Sequence, residues 1–159
     1  MAVRGTATLF QETLKRAFEG ELDLSSDGLA LVIVDDTLTP AADDTTPTYS
    51  DYVANEVTNA GGYTTTGIPM TTITSAMVAG IYTVGADDVG LLIDASGFIN
   101  GAWGIICDTT AVGSPALGFI QLDDSSGNPV SEQAGPVDVE WADGVVFEFP
   151  ANALTWATP

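Results

Sequence analysis

Four acidic stretches hold the side chains with the most direct chemistry: Asp35-Asp36, Asp43-Asp44, Asp87-Asp88 and the turn Asp123-Asp124-Ser125-Ser126-Gly127-Asn128. Clustered carboxylates and hydroxyls supply the oxygen ligands that calcium prefers. The last stretch opens with the spacing of a calcium-binding EF-hand loop. It then places Asn128 where the turn glycine belongs and Ala134 where the bidentate glutamate belongs. Solvated acidic turns are therefore expected, and no residue is assigned as a metal ligand. Paired carboxylates also serve glycoside hydrolysis, but with 22 Asp and Glu in the chain a pair carries little information. There is no histidine, which removes Ser-His and Cys-His nucleophile systems and the commonest zinc ligand. Neither G-x-x-x-x-G-K-[ST] nor G-x-G-x-x-G occurs, so no phosphate cradle is expected. The single cysteine, Cys107, sits in the apolar run Gly104-Ile105-Ile106-Cys107 without a cationic neighbour. It reads as a small buried hydrophobe, not a reactive thiol. The chain is expected to be no enzyme and to use no cofactor.

Charge narrows the partners. Against the 22 acids stand 3 bases, Arg4, Lys15 and Arg16, for a formal net charge of −19. No basic patch exists to displace phosphate counterions, so nucleic acid is excluded as a partner, and anionic membrane surfaces are disfavoured for the same reason. Residues 57–86 carry no charged side chain, but their Thr, Gly and Asn content rules out a membrane span. The first residues, Met1-Ala2-Val3-Arg4-Gly5-Thr6, lack the apolar core of a signal peptide. The expectation is a soluble chain made in a cytoplasm. At 159 residues, 45% of them hydrophobic, one domain with a buried core is expected, leaning towards strands through its Thr, Val, Ile and Gly.

One helix is expected, over residues 8–20. Thr8 and Gln11 have capping-box spacing, Gly20 suits the position after the last turn, and Phe10, Leu14 and Phe18 form a narrow apolar stripe. Glu12 can pair with Lys15 and Arg16. Glu21–Leu24 is expected as a short strand, Ser25–Gly28 as a turn and Leu29–Val34 as a central strand. Asp35–Thr48, polar and broken by proline, is expected as a long exposed loop. Tyr49–Pro69 then reverses at Asn59-Ala60-Gly61-Gly62 and opens a β half with strands near 70–75, 81–84, 89–93, 98–107 and 116–122. Val137, Val139 and Trp141 alternate with Asp138 and Glu140, and Val145, Phe147 and Phe149 continue the apolar face after Ala142-Asp143-Gly144. That pattern predicts a hairpin with one buried face, followed by a short strand near Ala153–Trp156. The whole points to an all-β fold, an antiparallel β-sandwich or jelly roll with one short N-terminal α-helix. Residues 1–20 form an arm and helix, and residues 21–159 a single β-sandwich domain.

Several pieces together resemble structural proteins of tailed-bacteriophage virions. They are Gly20-Glu21-Leu22-Asp23-Leu24 after a short helix, the Ala30–Val34 strand, Thr39-Pro40, the run Tyr49–Val57 with Asn55-Glu56-Val57, and Gly62-Tyr63-Thr64 through Gly67. The resemblance implies a virion structural role, foremost a capsid decoration (cement) protein on the exterior of the head, assembled in the host cytoplasm. Its partners would be the major capsid protein and other copies of itself, as a dimer or trimer. A tail-associated or head-fibre component is the alternative, and a carbohydrate-binding β-sandwich module a third, with Trp156 the one loose stacking candidate. Contact with capsid or neighbouring subunit is assigned to Arg4, Phe10, Leu14, Lys15, Arg16 and Phe18. The competing view of the three bases is that they only neutralise nearby acids.

Overall fold

Leu29-Ala30-Leu31-Val32-Ile33-Val34 has no polar side chain on either face, so as a strand it is stable only where both faces are covered. The computed structural model describes residues 2–58, 61–123 and 127–149, with the backbone alone at residues 2–4, and it buries all six of these side chains. In chain order the elements are strands β1 (Ala2–Gly5) and β2 (Thr8–Leu9), helix α1 (Gln11–Glu19), β3 (Leu29–Val34), and the one-turn helix α2 (Tyr49–Tyr52), which runs into a 3-10 turn at Val53–Asn55. There follow β4 (Ile68–Pro69), β5 (Thr74–Val78), β6 (Ile81–Gly85), β7 (Val89–Leu91), β8 (Trp103–Asp108), β9 (Ala116–Gln121), β10 (Val137–Trp141), a 3-10 turn at Ala142–Gly144, and β11 (Val145–Phe149). The fold is all-β and sandwich-like, with mostly antiparallel strands and little helix.

A five-stranded sheet of order β2-β9-β8-β3-β4 carries β3 near its centre. Leu29, Leu31 and Ile33 join Ile106, Leu117 and Leu122 in one core, packed with Val84, Val89, Leu91, Val137, Val139, Trp141, Val146 and Phe147. Those partners come from two three-stranded sheets, β1-β10-β7 and β11-β6-β5. Val32 and Val34 belong instead to a second core with Ile105, Cys107, Ala116, Phe10 and Tyr52, against which Leu38, Tyr49, Trp103 and Phe119 pack. Alternate residues of one strand therefore serve two cores, which is why its pattern is continuously apolar. Cys107 is buried there as expected, and burial, reinforced by Glu56 and Asp108, pushes its thiol up to about 12.

The N-terminal segment is woven into both layers. β1 runs parallel to β10, while β2 pairs antiparallel with β9, and between them the Ala7 N–H donates to Val146 O at 2.6 Å. The first 20 residues, expected as an arm and helix beside the sandwich, thus supply a strand to each of two sheets. The Thr8–Gln11 capping box does not form, because Thr8 is taken up in β2 opposite Phe119. Phe10 occupies the N-cap without a side-chain cap bond, and the Gln11 N–H is satisfied by Ala42 O at 2.8 Å. The other end is as read: Gly20, at φ +75°, closes α1 through its N–H to Ala17 O.

Other expectations are corrected. Glu21–Leu24 forms no strand, because the Asp23 and Asp27 carboxylates accept local N–H groups from Ser25 and Asp23 and fold the segment into turns, with Leu24 buried. Residues 35–48 are a loop, but not an exposed one throughout: Pro40 and Pro47 are buried and Leu38 packs on the second core. The strand near 70–75 is replaced by β4 and β5. The strand expected at 98–107 starts at Trp103, not Phe98, because Gly101 bridges to Val130. The hairpin is absent too. β10 pairs with β1 and β7, whereas β11 pairs with β6, and Asp143 (φ +54°) with Gly144 turns the chain from one sheet into the other. Val137, Val139 and Trp141 are buried as predicted, but a register shift between Val145 and Phe147 buries Val146 in place of Val145. The strand near Ala153–Trp156 lies outside the described residues.

Phe10 is fully buried, with its ring centroid 5.1 Å from Phe119 and 6.2 Å from Tyr52. Phe10→Ala is expected to lower unfolding free energy by about 3–5 kcal/mol, measured by urea denaturation. A loss under about 1 kcal/mol would mean that the N-terminal segment is not integral to the second core.

Candidate contact surface

The six residues assigned to contact do not share one face. Phe10 is core, and the buried side chain of α1 is Thr13, whose hydroxyl donates to Leu117 O at 2.7 Å. The Phe-Leu-Phe stripe splits because the helix begins only at Gln11, which leaves Leu14 half-buried and Phe18 66% exposed. Arg4 lies in β1 opposite Glu140, and its side chain is outside the described residues.

Lys15 and Arg16 do come together, in a cleft of about 550 Å³ lined also by Glu12, Glu21, Thr46, Ala111 and Val112. Their charge is largely spent inside it. Lys15 Nζ lies 2.7 Å from Glu12 Oε1 and 3.7 Å from Glu19 Oε2, and these partners hold its ammonium above the ordinary lysine range, the Glu12 hydrogen bond first. Arg16 reaches Glu21 Oε2 at 3.3 Å, while its buried Nε has no hydrogen-bond partner. Exposed pairs of this kind add little to stability, because water and salt screen them. The cleft is thus near-neutral, and its outstanding feature is apolar: Val112 at its rim is 98% exposed.

Asp108, at the end of β8, shapes the loop that presents Val112. Its Oδ1 accepts the Thr110 N–H (2.8 Å) and the Ala111 N–H (2.9 Å), and Thr110 Oγ1 bridges it to Asp27 Oδ1 at 2.8 and 3.1 Å. Asp108 is fully buried and its Oδ2 has no partner. Burial holds the carboxyl above the ordinary Asp range, with Asp27 adding to the shift and the loop donors opposing it.

Within Tyr49–Pro69 the centre is Glu56. Its Oε2 accepts the Tyr49 hydroxyl at 2.7 Å, and its Oε1 accepts the Tyr63 hydroxyl at 2.6 Å and the Thr66 N–H at 2.9 Å. Tyr63 Oη in turn accepts the Ile33 N–H of β3 at 3.1 Å. Burial, then the Glu56 bond, raises the Tyr49 hydroxyl to about 12 and the Tyr63 hydroxyl further, so both remain donors at neutral pH. Gly67, at φ +88°, passes so close to β3 that a Cβ there would sit 2.9 Å from Leu31 O. A second carboxylate was not foreseen at all. Glu132 is fully buried, its Oε1 accepts the Gly62 N–H at 2.8 Å, and a Cβ on Gly61 or Gly97 would fall within 2.7 Å of Oε2. No sequence signal marks it, since Ser131-Glu132-Gln133 looks like any polar turn and its glycine partners are distant in sequence.

None of these carboxylates lines the cleft described above, and each serves to hold backbone in place. Five of the acids considered for calcium are likewise engaged. Asp35 accepts the Thr37 N–H (3.0 Å), Asp36 the Asn100 amide, Asp44 the Ala41 N–H (3.1 Å), Asp87 the Thr72 hydroxyl (2.6 Å) and Asp88 the Trp141 N–H (2.8 Å). Among the described residues no group of three or more Asp, Glu or Cys converges as a metal site. Trp141 is buried and Trp103 half-buried against the second core, so neither offers a free stacking face, and Trp156 lies outside the described residues. Exposed apolar side chains are what the surface does offer: Phe18, Val112, Met77, Val78, Leu92, Ile93 and Ile99.

Tyr63→Phe removes one donor to Glu56 and the acceptor of the Ile33 N–H, and should lower unfolding free energy by about 1–3 kcal/mol; an unchanged urea midpoint would show that water replaces the hydroxyl. For Asp108 the sign is opposite. A buried acid whose carboxyl titrates above its unfolded value destabilises the fold at neutral pH, and this penalty fades as pH falls towards 3.8. Asp108→Asn keeps the acceptor for the loop N–H groups, so it should raise the neutral-pH melting temperature and lose that advantage near pH 4. A lower melting temperature at every pH would show that the loop requires the ionised carboxylate.

Comparison of the chain with family models, with curated proteins and with solved structures gave no match.

Proposed function

We propose that this chain is a non-enzymatic structural protein of a tailed-phage virion, a decoration protein that binds the major capsid protein on the exterior of the head. One observation carries the reading. Two of the motifs that carry the resemblance, Asn55-Glu56-Val57 and Gly62-Tyr63-Thr64, are a single physical unit, joined by the Tyr63–Glu56 hydrogen bond and seated on the central strand through Ile33 and Val57. Short motifs scattered by chance would have no reason to meet in this way. The surface agrees with an adhesive role, since its carboxylates are turned to holding loops while apolar side chains stand in solvent. Phe18 on α1 and Val112 at the rim of the cleft that holds Lys15 and Arg16 are the residues that would meet the shell.

Purified protein added to undecorated heads should co-sediment and appear by cryo-electron microscopy as density on the outer shell. Phe18→Asp with Val112→Asp should abolish that binding while changing stability by no more than about 0.5 kcal/mol per site, as surface substitutions usually do. Density at the tail or on fibres instead would replace this reading with the tail or head-fibre alternative, and binding that survives both substitutions would move the contact elsewhere.

A further inference from the structure

The hairpin of β5 and β6 stands apart from the rest of the surface. Val78 and Ile81 are joined by Ala79 (φ +51°) and Gly80 (φ +86°), the left-handed pair of a tight two-residue turn. Residues 76–80 are all exposed, Met77 by 65% and Val78 by 56%, so the tip projects with neither face covered. Among the described residues β5 is an edge, hydrogen-bonded to β6 on one side only. Exposed edges are ordinarily guarded by charge, proline or a bulge, because free N–H and C=O groups recruit another strand. Thr74-Ser75-Ala76-Met77-Val78 has none of these guards, and it lies within residues 57–86, a window without a single charge in a chain of net charge −19.

We propose that β5 is a self-association edge, pairing antiparallel with β5 of a second copy about a two-fold axis at Ala76. Thr74 then faces Val78 of the second copy, Ser75 faces Met77, and two three-stranded sheets become one six-stranded sheet. Charge identifies the occupant. A basic partner would be drawn to the acidic faces, not to a charge-free edge. Two equally acidic bodies can approach only where neither presents charge, and this hairpin is such a place. Five paired residues bury less than the roughly 800 Å² per partner of a standard stable interface. The dimer is therefore weak in isolation and favoured where copies are concentrated. The proposal does not depend on the virion reading, since it concerns the free protein.

Sedimentation velocity of the full chain, from micromolar to millimolar concentration and in low and high sodium chloride, tests it. The expected result is a monomer–dimer equilibrium that strengthens with salt, because screening relieves repulsion between the two bodies. Ala76→Lys and Ala76→Glu should both abolish the dimer despite shifting net charge in opposite directions, with circular dichroism unchanged. Val112→Lys should leave it intact. A monomer under all conditions, a trimer, a dimer indifferent to both Ala76 substitutions, or an association that weakens with salt as pairing through Lys15 and Arg16 would, each overturns the proposal.

Discussion

The hydrogen bonds around Glu56 are the constraint on which the middle of the molecule depends. β3 has β8 along one edge, but on the other β4 covers only Ala30 and Leu31. The rest of that edge is closed by the segment around Glu56, where the Val57 N–H donates to Ile33 O, the Asp35 N–H donates to Asn55 O, and the Tyr63 hydroxyl accepts from Ile33. A buried central strand with unpaired backbone groups would be costly. One carboxylate bound by two tyrosine hydroxyls and a backbone N–H holds the closing segment in register, and charge-assisted bonds of this kind are stronger than neutral ones. Asn55 extends the network through its amide to Thr37 Oγ1 at 2.7 Å, which fastens the start of the acidic loop.

The same economy governs the other acids. After Arg16 the chain has no positive side chain, so most of its carboxylates cannot be neutralised by ion pairs and are used instead as acceptors for nearby N–H and O–H groups. Asp23 and Asp94, held by Ser25 and Ser26 and by Ser96 respectively, titrate below the ordinary range because their donors favour the ionised form. Among the described residues, Glu132 and Asp108 are the two taken fully inside, each with one oxygen hydrogen-bonded and the other not. Both sit where loops must be closed over a core, Glu132 beneath Gly61 and Gly62, Asp108 beneath the loop that bears Val112. Net charge is thereby pressed to the surface, and the charge-free β5–β6 hairpin is the exception.

Much of the fold was legible in the residues. The unbroken apolar run of β3, the alternation of Val137, Val139 and Trp141, the burial of Cys107 and the stop at Gly20 each follow from local rules, because side-chain period and backbone preference act within a few residues. The candidate contact surface was only partly legible. Lys15 and Arg16 fall in one cleft, yet their engagement by Glu12, Glu19 and Glu21 leaves little free charge. Phe10 looked like the first residue of a helical stripe and is in fact a core residue of another layer, since strand pairing at Thr8 shortened the helix.

The sequence by itself determined that this is an all-β chain with one short N-terminal helix, which residues face inward along its clearest strands, and that none of its own residues can supply histidine chemistry. Only the tertiary structure decided which strands are neighbours. Periodicity states which side of a strand is buried but carries no information about its partner, and so β10 and β11, adjacent in sequence and matched in pattern, separate into two sheets. Long-range contacts also decided the roles of Glu56 and Glu132: a carboxylate becomes a structural centre through donors that the fold brings to it, and those donors lie up to 70 residues away.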